Sequence, residues 1–146
     1  MSKERQAMKK VLILCTGNSC RSQMAEGVLR HYGHDQFEVF SAGTKPSRVN
    51  PTAIAVMKEI GVDISGQRSK HVDEYKGEPF DYVITVCDSA KETCPIFPGA
   101  TQQFHWSFPD PPQTDNVTEE VISEFRKVRD MIHAKFKEAA LQGFSK

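Results

Sequence analysis

Three residue types that together can handle a tetrahedral oxyanion fall within the stretch Cys15-Thr16-Gly17-Asn18-Ser19-Cys20-Arg21-Ser22. Cys15 supplies a sulfur nucleophile, which reacts as the thiolate. Arg21 supplies a planar, permanently charged fork suited to two oxygens of one anion. Ser22 can donate a hydrogen bond to the Cys15 sulfur, steadying it as nucleophile and later as leaving group. The residues between them are small. Gly17 allows a tight or left-handed backbone and Asn18 tolerates the same region, so successive amides of Thr16, Gly17, Asn18, Ser19 and Cys20 can converge on one anion.

Such a loop needs a rigid strand on one side and a helix on the other. Val11-Leu12-Ile13-Leu14 is an uninterrupted apolar run, the pattern of a strand buried on both faces. A helix is predicted from about Ser22, with Met24, Ala25, Val28, Leu29 and Tyr32 on one side. A strand that feeds a helix start favours an anion at the junction and the thiolate form of Cys15.

The same grammar recurs later. Tyr82 to Val86 reads as a second apolar strand and ends on Cys87, as Leu14 ends on Cys15. In an open parallel sheet, ligands sit beyond the carboxyl ends of the strands, which places both sulfurs on one rim. Cys94 follows in a loop beside Pro95. Asp110 stands among Pro109, Pro111 and Pro112, whose fixed backbones make it a held carboxyl. Trp106 and Phe108 nearby are expected to favour its protonated form, as a proton donor to a leaving oxygen. A turn aspartate that only accepts backbone hydrogen bonds is the plainer alternative for Asp110. For Cys87 and Cys94 it is a pair of small buried hydrophobes.

The remaining predicted elements are a strand at Glu38–Ser41, a helix capped by Asn50 with Pro51 in its first turn and ended by Gly61, one or two helical turns over His71–Tyr75, a strand at Gln103–Trp106 and a long final helix. That helix carries Val121, Phe125, Val128, Ile132 and Phe136 as one apolar stripe, with Asn116 and Glu119 as a capping box. Residues 1–9 read as a frayed lead-in to a single catalytic domain spanning 1–146.

Lysine plus arginine and aspartate plus glutamate both number 19, so no basic field invites nucleic acid. No apolar run approaches membrane-spanning length, and the first residues lack a secretory pattern, so a cytosolic home is expected. In that reducing compartment, four cysteines point to reactive or metal-binding roles rather than a permanent disulfide framework. The pairs Cys15/Cys20 and Cys87/Cys94 lack the usual zinc-knuckle interval, and no metal site is expected.

The spacing of Cys15, Arg21 and Ser22 between a strand and a helix resembles the signature of the low-molecular-weight tyrosine phosphatase superfamily. The fuller string CTGNSCRSQMAEG is similar to its thioredoxin-coupled arsenate reductase branch. The resemblance implies an α/β three-layer sandwich with a central four-stranded parallel sheet, acting without a cofactor and expected as a monomer. It implies Cys15 as nucleophile, Arg21 as oxyanion ligand, Asn18 and Ser22 as residues tuning the nucleophile, and Asp110-Pro111 as the general-acid pair. Cys87 and Cys94 match the first and final resolving cysteines, giving a Cys15–Cys87 intermediate and a Cys87–Cys94 final disulfide. Thioredoxin is the implied reductant and arsenate the substrate. Cys20 belongs to the loop but not to the relay.

A phosphatase shares the oxyanion cup but needs no relay; it is the alternative, with a redox-sensing or arsenite-binding module as a third. Where tyrosine phosphatases carry aromatic residues after the Asp-Pro pair, this chain has Pro112 and Gln113, which favours a small inorganic substrate. Some relatives place potassium beside residues corresponding to Asn18, Glu26 and Ser41, with an acidic residue where this chain has Lys70. The Lys70 ammonium is expected to stand in for that ion.

Overall fold

In a computed structural model, residues 8–88, 97–112 and 114–144 are described. The order of elements is β1 (Lys9–Cys15), α1 (Arg21–Gly33), β2 (Phe37–Gly43), α2 (Pro51–Glu59), a 3-10 turn (Val72–Tyr75), β3 (Phe80–Thr85), β4 (Ala100–His105) and α3 (Glu119–Gln142). The four strands form one sheet in the order β2-β1-β3-β4, with every pairing parallel. This is the α/β architecture expected from the alternation of strands and helices.

β1 is the axis of the molecule. Val11, Leu12, Ile13 and Leu14 are fully buried, and their alternation sends Val11 and Ile13 into one apolar cluster and Leu12 and Leu14 into the other. The first cluster includes Met24, Val28 and Leu29 of α1, Met57 of α2 and Phe125, Ile132 and Phe136 of α3. The second holds Ala42, Phe80, Val83 and Phe97, with Tyr75 of the 3-10 turn packed against it. An apolar run without polar alternation is what a strand covered on both faces requires.

β1 begins at Lys9, within the stretch read as lead-in, because Lys9 and Lys10 extend the ladder with β2. β4 runs Ala100–His105, starting three residues and ending one residue before the strand expected at Gln103–Trp106. It is an edge strand in which only Phe104 is buried, so its polar face obscured its start. The predicted Asn116–Glu119 capping box is replaced by Thr118, whose hydroxyl accepts from the Val121 amide at 3.2 Å. Threonine is also among the favoured capping residues, and Thr118 sits closer to the apolar stripe. Asn116 instead donates its backbone N–H to the Thr114 hydroxyl at 3.0 Å.

α2 starts as expected: the Asn50 side-chain oxygen accepts from the amides of Thr52 and Ala53 at 2.8 and 3.3 Å, with Pro51 in the first turn. Its last residue, Glu59, is followed by the cap Ile60 and then by Gly61, whose φ of 79° suits glycine. α2 is tied to α3 by ion pairs. Arg126 grips both carboxylate oxygens of Glu59 at 3.0 and 2.8 Å, and Arg129 reaches Glu59 Oε1 at 2.7 Å. The Arg126 hydrogen bond, followed by Arg129, holds the Glu59 carboxyl at about 2, below its ordinary 4.5.

A carboxyl lowered in this way stabilises the fold above pH 4.5, and the contribution drains away as pH falls toward 2. Glu59→Gln is therefore expected to unfold at a lower temperature than the parent chain at pH 7. The two melting temperatures should converge in acid, as checked by thermal denaturation followed at several pH values. A difference that does not shrink toward pH 2 contradicts this assignment.

Candidate active site

The Cys15–Arg21 connection lies at the carboxyl end of β1, where the chain turns to β2 on one side and β3 on the other, the crevice that open α/β sheets use for ligands. α1 enters its ladder when Met24 N donates to Cys20 O at 2.8 Å. Cys20 is the cap position, offers no side-chain cap, and the first turn carries no acidic residue. A helix start with this character is completed by an anion. Arg21, not Ser22, is the first helical residue.

The resulting cup measures about 320 Å³ and is lined by Cys15, Thr16, Gly17, Ser19, Cys20 and Arg21, closed by Ser47 and Asp110. The predicted oxyanion residues therefore divide into two groups. Asn18 and Ser22 are fully buried behind the cup, where they act on the sulfur rather than on an anion. Ser22 Oγ lies 2.9 Å from Cys15 Sγ.

The direction of that bond follows from its neighbours. Lys70 N, which can only donate, bonds Asn18 Oδ1 at 2.8 Å, and Gln23 Nε2 donates to the same oxygen at 3.0 Å. The Asn18 amide nitrogen must then face the other way, and it donates to Ser22 Oγ at 2.8 Å and Ser41 Oγ at 2.9 Å. With Ser22 Oγ already accepting from Asn18, its own proton is left to point at the Cys15 sulfur. Asn18 holds this position with φ 47°, the left-handed region that asparagine tolerates.

The far branch ends in charge. Ser41 Oγ donates to Glu26 Oε1 at 2.5 Å. Glu26 is buried and also meets Arg30, through Nε at 2.9 Å and through a terminal nitrogen at 2.7 Å. Lys70 Nζ lies 3.8 Å from Glu26 Oε1 and donates to Arg68 O at 2.6 Å. Burial lowers the Lys70 pKa below that of an ordinary lysine, against the attraction of Glu26.

Asp110 Oδ1 lies 3.5 Å from Arg21 Nε, and Arg21 also donates to Phe108 O at 3.3 Å. Phe108 N in turn donates to Val86 O at 3.2 Å, so the loop bearing Asp110 is hung on the end of β3. The expected apolar enclosure of Asp110 is not what surrounds it. Its side chain is 44% exposed and faces a guanidinium. Phe108 packs toward Phe136, and the Trp106 ring is occupied by Phe136, Phe144 and Lys135. Strand exit directs these two rings into the core, a feature that proximity in sequence did not reveal.

Cys87 follows the same rim. Leu14 pairs with Thr85, and Val86 N donates to Leu14 O at 2.9 Å, so β1 and β3 run side by side to their ends. With strands about 4.8 Å apart and a rise of about 3.3 Å per residue, one step of offset puts the two α-carbons roughly 6 Å apart. That separation is within the range a disulfide spans. Cys87 is buried and disulfide-bonded, whereas Cys15 and Cys20 are free thiols. Cys94 and Gln113 lie outside the described residues. Among the described residues, no group of three or more potential ligands is placed to hold a metal ion.

Three contributors escaped the sequence. Gln23 bridges Asn18 to Arg68 O at 2.9 Å and receives Gln67 at 2.7 Å; a glutamine on the buried side of a helix was the available sign. Ser47 closes the cup, its amide donating to Gly17 O at 3.3 Å. Gly43 ends β2 so close to the loop that a Cβ there would stand 2.3 Å from Thr16 O.

Gly43→Ala must therefore push the loop away, and forcing extra volume into such a contact costs about 1–3 kcal/mol. The expected result is a fold intact by circular dichroism with phosphate affinity reduced about tenfold, about 1.4 kcal/mol, when measured by calorimetry. Unchanged affinity contradicts the role given to this contact.

A family model described as low molecular weight phosphotyrosine protein phosphatase matches residues 10–143. An arsenate reductase of Halalkalibacterium halodurans is 44% identical over 135 residues, covering 92% of this chain and 97% of its own. One from Bacillus subtilis is 43% identical with the same coverage. Among solved structures, an arsenate reductase in the phosphate binding state superposes with a TM-score of 0.77 at 37% identity, covering 94% of this chain and all 100% of that one. Vibrio vulnificus Wzb in complex with benzylphosphonate, at 19% identity and a TM-score of 0.71 over 93% of this chain and 99% of that one, shares the fold. With its cup, its buried Asn18 fork and these relatives, the chain belongs to the low molecular weight phosphotyrosine protein phosphatase family, within its arsenate reductase branch.

Proposed function

We propose that the chain reduces arsenate to arsenite, using Cys15, Cys87 and Cys94 in sequence and returning to its dithiol form at the expense of thioredoxin in the cytoplasm. The observation that carries the reading is Cys15 in the cup, with Cys87 two residues past the end of the neighbouring strand. A phosphatase has no use for that second sulfur.

Arsenate enters with its oxygens toward Arg21 and the loop amides. The Cys15 thiolate, held by Ser22, attacks arsenic and forms an S–As bond. An arsenic oxygen leaves as water after taking the Asp110 proton. The Cys87 thiolate then attacks the Cys15 sulfur. The S–As electron pair stays on arsenic, which departs as arsenite, and a Cys15–Cys87 disulfide remains. Cys94 attacks Cys87, releases the Cys15 thiolate and leaves a Cys87–Cys94 disulfide for an external dithiol protein. Cys20, a free thiol buried at the helix cap, takes no part. The chain acts as a monomer in this scheme, since every group named comes from one copy.

Asn18, Ser41, Glu26 and Lys70 act beneath the sulfur. Lys70, 3.8 Å from Glu26, supplies the positive charge there in place of a potassium ion. Replacing sodium chloride with potassium chloride at constant ionic strength is expected to leave turnover unchanged, and a severalfold rise contradicts this role.

The relay is tested by NADPH consumption with arsenate, thioredoxin and thioredoxin reductase. Cys15→Ser, Cys87→Ser and Cys94→Ser should each lower steady-state turnover at least a hundredfold, while Cys20→Ser retains it. Full turnover in Cys87→Ser overturns the reading.

A further inference from the structure

Gln23 is fully buried in α1 and stands behind the cup rather than in its lining. An amide placed there has lost its water, so both of its polar atoms need partners. Nε2 lies 3.0 Å from Asn18 O, 3.0 Å from Asn18 Oδ1 and 2.9 Å from Arg68 O. On the opposite side, Oε1 accepts from Gln67 Nε2 at 2.7 Å, and the same Gln67 nitrogen donates to Gln23 O at 3.0 Å.

These partners leave each amide one orientation. Asn18 O and Arg68 O are main-chain carbonyls, which only accept, so the Gln23 nitrogen must face them and its oxygen must face Gln67. Gln67 meets two acceptors, Gln23 O and Oε1, and must present its nitrogen in turn. Direction therefore passes from Gln67 to Gln23 and from there to Asn18. The left-handed φ of 47° at Asn18 is sparsely allowed for a residue with a side chain. Gln23 grips both the main-chain and the side-chain oxygen of that residue, holding the turn from two ends. Its bond to Arg68 O also fixes the segment that delivers Lys70 N to Asn18 Oδ1 at 2.8 Å.

We propose that Gln23 and Gln67 are positioning residues for the nucleophile: they hold Asn18 so that Ser22 Oγ, 2.9 Å from Cys15 Sγ, aims its proton at that sulfur. This rests on the reading of Cys15 as nucleophile, but not on the relay. Neither glutamine lines the cup, so their contribution belongs to the reactivity of the sulfur and not to capture of the oxyanion.

Gln23→Met keeps the helix and the length of the side chain while removing the amide. Small displacements caused far from the chemistry can cost about a hundredfold, so kcat for arsenate should fall about tenfold or more, with KM within about twofold of the parent. Alkylation of Cys15 by iodoacetamide at pH 7, mapped by mass spectrometry, should slow about fivefold, and Ser22→Ala should reproduce that loss. Adding Gln23→Met to Ser22→Ala should then cost less than about twofold more in either rate, because both changes act through one hydroxyl. A full further loss in the double variant overturns the proposal, since a glutamine that only supported the fold would add its effect independently. So does unchanged alkylation in Gln23→Met, or a rise in KM that accounts for the lost turnover. Gln67→Met, at a partly exposed position, should show the same pattern at about threefold, and it decides the question if Gln23→Met does not fold. The alkylation arm needs no arsenate, so a parent chain that failed to reduce arsenate would refute the relay while leaving this proposal to stand or fall on the double variant.

Discussion

The site depends on a single side chain held in an unfavourable backbone conformation. Asn18, at φ 47°, has its oxygen claimed by Lys70 N and Gln23, so its amide nitrogen must feed Ser22 and Ser41. Each hydrogen bond in that fork is individually ordinary. Their value is direction, because two fixed donors on one end of an amide leave only one orientation for the other. The consequence is a serine hydroxyl whose proton points at the Cys15 sulfur. A chain of such bonds in a low-dielectric interior is strong when complete and expensive when one member is missing.

The surrounding fold serves to make that fork rigid. β1 is buried on both faces and cannot shift without disturbing both clusters. β2 presses its last glycine against the loop carbonyls, and the segment before α2 pins the loop from outside through Lys45, Ser47 and Asn50. Glu26 would be a liability as a buried carboxylate, but Arg30, Lys70 and Ser41 surround it. It can therefore anchor the far end of the network. Catalytic geometry is thus borrowed from strands and helices, while the groups that meet the ligand lie in loops between them.

Much of this was legible in the residues, though unevenly. The Val11–Leu14 strand, the Cys15–Ser22 loop and the apolar stripe of α3 could be read because periodicity and residue type there serve one purpose. The start of β4 was obscured because an edge strand exposes polar residues and loses its apolar alternation. The α3 cap moved to Thr118 since several good capping residues lie in a row and only backbone geometry chooses among them. The surroundings of Asp110 were misjudged for a different reason. Trp106 and Phe108 are close in sequence, but the path of the chain off β4 turns them toward α3, leaving Arg21 as the neighbour. Gln23 and Gly43 act through contacts between segments far apart in the chain, which local pattern does not encode.

Shared with phosphatases, the cup accounts for capture of an oxyanion but not for its reduction. Beside it lies a second sulfur, Cys87, two residues past the end of the neighbouring strand. The most direct measurement is rapid quenching of Cys94→Ser protein after one equivalent of arsenate, followed by mass spectrometric mapping of disulfides and assay of arsenite. The account predicts one arsenite released per chain, with Cys15 joined to Cys87. Arsenite release without that bond, or a bond joining Cys15 to Cys20 in its place, contradicts it.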